Sequence, residues 1–231
     1  MSDNNLRASQ WKDLVGKFFS PQYGGSIQGW KAANEYALTQ LLHRYENKMK
    51  KNPYVDYRTY WDEELIFWLT DMFKIVNIDP PPYEQRNKIA RKAAEWITHR
   101  VQAAYPGVIE TVQFLKTEGY TLHTASGEVS WELKGYLTGM GIEKCFTNLY
   151  GPDLINIAKQ SVEFYNQVFN DSEVNPDEGV MVIDDSPKKL SWAAEAGATI
   201  VHVTNYQECQ STPCQFHITQ LNEITKILEI L

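Results

Sequence analysis

The sequence predicts an α/β protein in two parts: an all-helical stretch, and a mostly parallel sheet with helices packed on it. Three observations carry this. From about residue 28 to 103, apolar side chains recur at spacings of three and four, and no convincing strand interrupts them. After Tyr105-Pro106-Gly107, short β-prone runs alternate with helix-length segments, which is the rhythm of βαβ units. One of those runs, Val180-Met181-Val182-Ile183, ends in two adjacent acids, Asp184 and Asp185, with Pro187 close behind. Open α/β sheets bind ligands outside the carboxyl ends of their strands, so this pair marks a candidate site.

The elements follow in order. Residues 28–47 place Ala32, Ala33, Tyr36, Ala37, Leu41 and Leu42 near one helical face. Residues 61–76 repeat the pattern with Leu65, Trp68, Leu69, Met72 and Ile75. Asp79-Pro80-Pro81-Pro82 is a hard stop, because proline removes a backbone donor and restricts the residue before it. Residues 83–104 resume as helix through Ile89, Ala93, Trp96, Ile97 and Val101. A further helix through Val108, Ile109, Val112 and Leu115 closes at Gly119. Strands are expected at 120–125, 145–150, 180–183 and 198–203, with helices at 129–138, 157–169 and 188–195 between them. Ile218, Leu221, Ile224, Leu228 and Leu231 predict a terminal amphipathic helix. The many aromatics of the first hundred residues, Trp11, Phe18, Phe19, Trp30 and Trp68 among them, are expected to pack the helical core.

Composition narrows the function. A hydrophobic content of 43% and a charged content of 22% are ordinary for a globular protein. The net charge of −7 lacks the basic footprint that nucleic acid or an anionic membrane requires, so neither is an expected partner. No stretch approaches a membrane span, and Met1-Ser2-Asp3-Asn4-Asn5 lacks a signal-peptide pattern. Three cysteines do not suggest a disulfide framework, and a cytoplasmic location is expected. Cys209 and Cys214 are spaced too loosely for zinc, and Gly135, Gly139 and Gly141 end a helix instead of following a strand as a dinucleotide loop would. His123 is expected to be a core or pocket histidine.

Three polar features fall where such a sheet would expose them. Asp184-Asp185 offers hard oxygen ligands suited to Mg²⁺, although Asp184 capping the next helix is the simpler alternative. Thr124-Ala125-Ser126-Gly127 ends the strand begun at Tyr120; its hydroxyl can donate to an anion, or Ser126 can cap the following helix. Lys159 lies near the start of the expected 157–169 helix, where the helix dipole does not favour a cation. A bound phosphate would supply the reason.

Taken together these residues resemble the haloacid dehalogenase-like hydrolase superfamily, over roughly residues 105–231. Tyr105-Pro106-Gly107-Val108, Leu115 and Gly119-Tyr120 are similar to the lead-in to its second motif, and Ser126 falls on that motif's phosphate-binding position. Lys159 with Phe164-Tyr165 matches the third motif; Asp184-Asp185-Ser186, Ala193-Ala194 and Ala196-Gly197-Ala198 match the fourth. The resemblance implies a Rossmann-like parallel sheet core from residues 1–20 and 105–231, with an inserted all-helical cap at 21–104. It implies Mg²⁺-dependent phosphoryl transfer from a small phosphorylated metabolite: Ser126, Gly127 and Lys159 on the phosphate, Asp184 and Asp185 on the metal, and cap aromatics around the substrate.

The family's first motif should read Asp-x-Asp-Gly-Thr after an apolar strand. The best match is Asp13-Leu14-Val15-Gly16-Lys17, which makes Asp13 the nucleophile but puts Val15 in place of the acid/base and Lys17 in place of Thr. Valine cannot move a proton. The preceding Leu6-Arg7-Ala8-Ser9-Gln10-Trp11 is also too polar for a central parallel strand. Either the first strand is missing or Asp13 is an ordinary helix residue. Two functions are therefore expected: a phosphohydrolase, or a catalytically inactive relative that binds a phosphorylated ligand or a protein partner. A sheet left short at its centre would expose edges that a homodimer could cover.

Overall fold

The computed structural model describes residues 2–51, 56–204 and 214–230. Asp3 starts the first helix, α1 (Asn4–Tyr23), by accepting hydrogen bonds from the amides of Asn5 (2.8 Å) and Leu6 (3.0 Å). Helices α2 (Ile27–Lys51), α3 (Tyr57–Ile75) and α4 (Tyr83–Thr98) complete a helical body. Its core joins Val15, Phe18 and Phe19 of α1 to Trp30, Trp68, Phe73 and Ile97. Phe19 stacks on Trp30 at 4.9 Å, and Phe73 meets both edge-on. Gly16 lets α1 approach α2, since a Cβ there would stand 2.7 Å from Ile27 Cγ2.

This corrects the expected division of the chain. Residues 1–20 were assigned to the sheet core, but α1 packs with α2 and α4. The helix is absent from the periodicity reading because its polar flank, Lys12, Asp13 and Lys17, dilutes the apolar stripe. Ahead of the helix, Ser2 bridges antiparallel to Ala104 and Asp3 N–H donates to the Ala103 carbonyl. α1 itself meets the second body through Arg7, paired with Glu128, and Trp11, whose ring lies 6.2 Å from that of Tyr136.

The second body follows Gly107. It runs α5 (Val108–Thr117), β1 (His123–Ala125), α6 (Ser130–Gly139), β2 (Asn148–Tyr150), α7 (Pro152–Ile155), α8 (Val162–Asp171), β3 (Met181–Asp184), α9 (Pro187–Glu195), β4 (Thr199–Val203), β5 (Phe216–Ile218) and α10 (Ile224–Leu228). All strand pairs are parallel, as the alternating rhythm predicts. The expected 157–169 helix begins later, at Val162, and the expected tail helix is split into β5, a 3₁₀ turn and α10.

Among the described residues the sheet is in two pieces. β1 pairs with β2, and separately β3 pairs with β4 and β4 with β5. Both pieces share a core: Val182 packs with α8 and α9, Met181 and Ile183 pack with Val201 and Ile227, and Leu122 and Ile183 join the cluster around Val108 and Leu137. All four residues of β3 are only half-buried, whereas four of five in β4 are buried. No described helix is long and apolar enough to cross a membrane.

Candidate functional site

Lys159 brings the site together. Its ammonium donates to the Ala125 carbonyl at the end of β1 (2.5 Å) and to Asp184 Oδ2 at the end of β3 (2.6 Å). The carboxyl ends of β1 and β3 therefore converge on one nitrogen, although the two strands do not pair. Lys159 lies in the loop after α7, not in a helix, so its placement owes nothing to a helix dipole. Its side chain is 6% exposed and that of Asp184 10%. The Tyr165 ring lies 5.7 Å from the ammonium and closes the site from α8.

The charges are held by one another. Burial works to raise the Asp184 carboxyl, but the Lys159 charge and hydrogen bond, with the Ser186 N–H at 2.8 Å, outweigh it and hold the group below its usual value. Burial pulls the Lys159 ammonium below its ordinary value, and Asp184 offsets part of that. Asp184 is not the cap of α9: that position is Ser186, whose amide donates to Asp184 in a local turn just ahead of the helix.

Ser126 follows Ala125 directly, so its hydroxyl lies on the loop that Lys159 touches. Its amide donates to the Tyr150 carbonyl (3.0 Å) and its Oγ accepts from the Glu128 amide (3.0 Å), which folds the loop through Gly127. The hydroxyl proton of Ser126 has no acceptor among the described residues and is free to donate to an anion. Gly127 is exposed, with nothing within 4 Å of where a Cβ would stand. Asp185 is exposed beside it in sequence from Asp184, and its carbonyl meets His202 Nε2 at 3.3 Å.

Asp13 is elsewhere. It sits midway along α1, half-exposed, and its carboxylate is paired with Lys31 of α2, whose hydrogen bond holds it below the ordinary carboxylate value. The expected nucleophile is thus a helix-surface residue of the helical body. The structure brings together Ser126, Gly127, Lys159, Asp184 and Asp185, and leaves Asp13 out. What sequence reasoning missed is the Ala125 carbonyl and the Ser186 amide; backbone groups carry no residue signature.

The donor set does not fit a resident Mg²⁺. Asp184 has one oxygen on Lys159 and the other on the Ser186 amide, which leaves Asp185 as the free carboxylate of the pair. No group of three or more His, Cys, Asp or Glu side chains among the described residues could hold a metal ion. Cys209 lies outside the described residues, and Cys214 is half-buried. His123 is half-buried at the start of β1: its ring lies 5.8 Å from that of Tyr150, and burial lowers its basicity.

A two-part α/β architecture with an anion-suited cluster at parallel strand ends defines the class. The chain belongs to the haloacid dehalogenase-like hydrolases, whose family pattern it matches over residues 34–203. No curated protein matches it by sequence. Its fold is similar to that of a defluorinating L-2-haloacid dehalogenase, at 15% identity and a TM-score of 0.68, covering 97% of this chain and 90% of that one. It is also similar to a 2-haloacid dehalogenase from Pseudomonas syringae pv. Tomato DC3000 (13%, TM-score 0.66, covering 100% and 94%) and a HAD phosphatase from Thermococcus onnurineus (21%, TM-score 0.61, covering 97% and 91%). These likenesses concern the fold, which is a Rossmann-like α/β core with a helical cap.

Proposed function

We propose that this chain binds the phosphate group of a small phosphorylated metabolite and, with its described residues alone, does not hydrolyse it. One observation carries the reading: Lys159 joins the Ser126 loop to Asp184, while Asp13, the sequence candidate for nucleophile, is paired with Lys31 on α1. The Ser126 hydroxyl and the Gly127 backbone would donate to the phosphate, with the buried ammonium supplying positive charge. Covalent phosphoryl transfer needs a nucleophile in line with phosphorus. None of the carboxylates in this cluster is free for that, except exposed Asp185. The neighbours include both a phosphatase and dehalogenases, which supports hydrolase ancestry without choosing between their substrates.

The test is calorimetry with inorganic phosphate, beside a turnover assay with p-nitrophenyl phosphate, each with and without Mg²⁺. Wild-type protein is expected to bind phosphate, with affinity lowered about tenfold in Ser126→Ala, the loss of one hydrogen bond to a charged group. Mg²⁺ is expected to leave that affinity unchanged. Turnover that survives Asp13→Asn and disappears in Asp185→Asn would overturn the reading and make the chain a phosphohydrolase.

A further inference from the structure

The two bodies meet at a cluster of acids that the phosphate site does not use. Glu132, in the first turn of α6, is 5% exposed although its helix starts at the protein's junction between bodies. Among the described residues one hydrogen bond reaches its carboxyl, from the Trp61 indole N–H of α3 to Oε1 at 3.2 Å. Two acids, Glu128 and Asp153, and one cation, Arg7, act on it, while Arg58 of α3 is engaged with the Asp153 carbonyl at 2.7 Å. Glu128 lies in the preceding loop, paired with Arg7 of α1 at 2.7 Å, and Asp153 of α7 accepts from the Ser130 amide (2.7 Å) and hydroxyl (2.5 Å). Arg7, whose guanidinium lies 5.6 Å from the Tyr136 ring, is the cation acting on Glu132, and it is already committed to Glu128. From α4, Arg91 lies over the adjacent Trp131 ring and is paired with Asp62, while His99 meets the other end of α6.

α6 has no slack at this junction. A Cβ on Gly135 would stand 2.0 Å from Thr98 Oγ1, and one on Gly139 would stand 2.7 Å from the His99 carbonyl oxygen. The helix lies directly against the end of α4, so a charge appearing beneath Trp61 cannot be absorbed by sliding α6 aside. A carboxyl that receives one weak donor and faces two carboxylates is stable there only while neutral.

We propose that Glu132 is a proton-controlled latch between the helical body and the α/β body: neutral, it seats under Trp61 and tolerates Glu128 and Asp153; ionised, it drives the two bodies apart. Electrostatics agree with the geometry, since burial first and the Glu128 charge second push Glu132 up to about 8 from an ordinary 4.5. The sign follows from linkage. A carboxyl whose folded value is raised keeps its proton when the unfolded chain has lost it, so stability falls as pH rises between the two values. Below the ordinary value there is no penalty; above the folded value the penalty is complete and the latch is charged.

The test uses three readouts on the full chain. The Trp61 indole N–H resonance, assigned through Trp61→Phe, is expected to titrate with a midpoint well above the ordinary carboxylate range and to be flat in Glu132→Gln. The folding equilibrium constant of Glu132→Gln relative to wild type is expected to grow about tenfold per pH unit between roughly pH 5 and 8 and then level off. The radius of gyration in solution scattering is expected to rise across the same titration in wild type only. An indole midpoint in the ordinary carboxylate range overturns the proposal. So does a pH-independent stability ratio, or a radius of gyration that stays constant while the indole titrates. If Glu132→Gln does not fold, the wild-type indole titration and scattering decide the matter alone.

Discussion

The helical body and the α/β body are stabilised in different ways. In the helical body α1 packs on α2, α2 on α3 and α3 on α4, and the Phe19–Trp30–Phe73 cluster closes without contribution from the sheet. The α/β body divides most of its buried apolar residues over three clusters, lends Val129, Ala158 and Tyr136 to clusters shared with the helical body, and has its described strands in two pieces. Where β1 and β3 approach, a buried ion pair stands in place of a hydrogen-bond ladder. Helices satisfy their own backbone, while a strand needs a neighbour on each side. The helical half therefore needs no strand, although Tyr136 of α6 joins its core, and a sheet whose strands are not contiguous is held by side chains.

The largest way to break that contrast is Lys159→Met, which strands Asp184 as a buried charge. Removing one partner of such a pair costs about 3–5 kcal/mol, so urea denaturation is expected to show a loss of that order. The nearest counterpart in the helical body is Glu64, buried but paired at 2.8 Å with Arg44, which is itself 30% exposed. The acid limb should report the same pair: because the Asp184 carboxyl is held below its ordinary value, its contribution is present above that value and is lost as pH falls through the folded one. Acid unfolding monitored by near-ultraviolet dichroism is expected to be shallower in Asp184→Asn.

Next in size is Gly135→Ala. Its new methyl would meet Thr98 at the junction between bodies, an overpacking expected to cost about 1–3 kcal/mol in thermal unfolding. Thr98→Ser in the same chain should leave most of that loss, because Cβ of residue 98 lies as close as 2.7 Å. Smaller still is a difference in hydrogen exchange. Amides of β3, half-buried at the edge of its sheet, are expected to exchange about ten times faster or more than those of β4, which is paired on both sides. Equal protection would show that β3 has a second strand partner. The smallest effect belongs to Asp13→Asn: an exposed pair with Lys31 is worth about 0–1 kcal/mol, and phosphate affinity should not change.

Much of the site was legible because its chemistry sits on strand ends that the sequence marks. Ser126 after a β-prone run and Asp184 after Val180–Ile183 needed only the rule that parallel strands present ligands at their carboxyl ends. The helices α2, α3 and α4 were legible from spacing, except that the expected 83–104 helix stops at Thr98. Strand β5, at three residues, was too short to register against the 3.6-residue pattern that continues through Leu221, Ile224 and Leu228. Lys159 was found for a reason the structure does not support, since no helix begins there. The order of motifs, not the dipole, located it.

The sequence by itself determined two bodies, a parallel βαβ order and the residue types of an anion pocket, because periodicity and strand-end polarity are local properties of a chain. Tertiary structure alone decided that Asp13 faces Lys31 on a helix surface and that Lys159 spans two unpaired strands. It also decided that Glu132 is buried among acids. Each of these depends on which distant segments share a dielectric environment, and distance in space is not written in spacing along the chain.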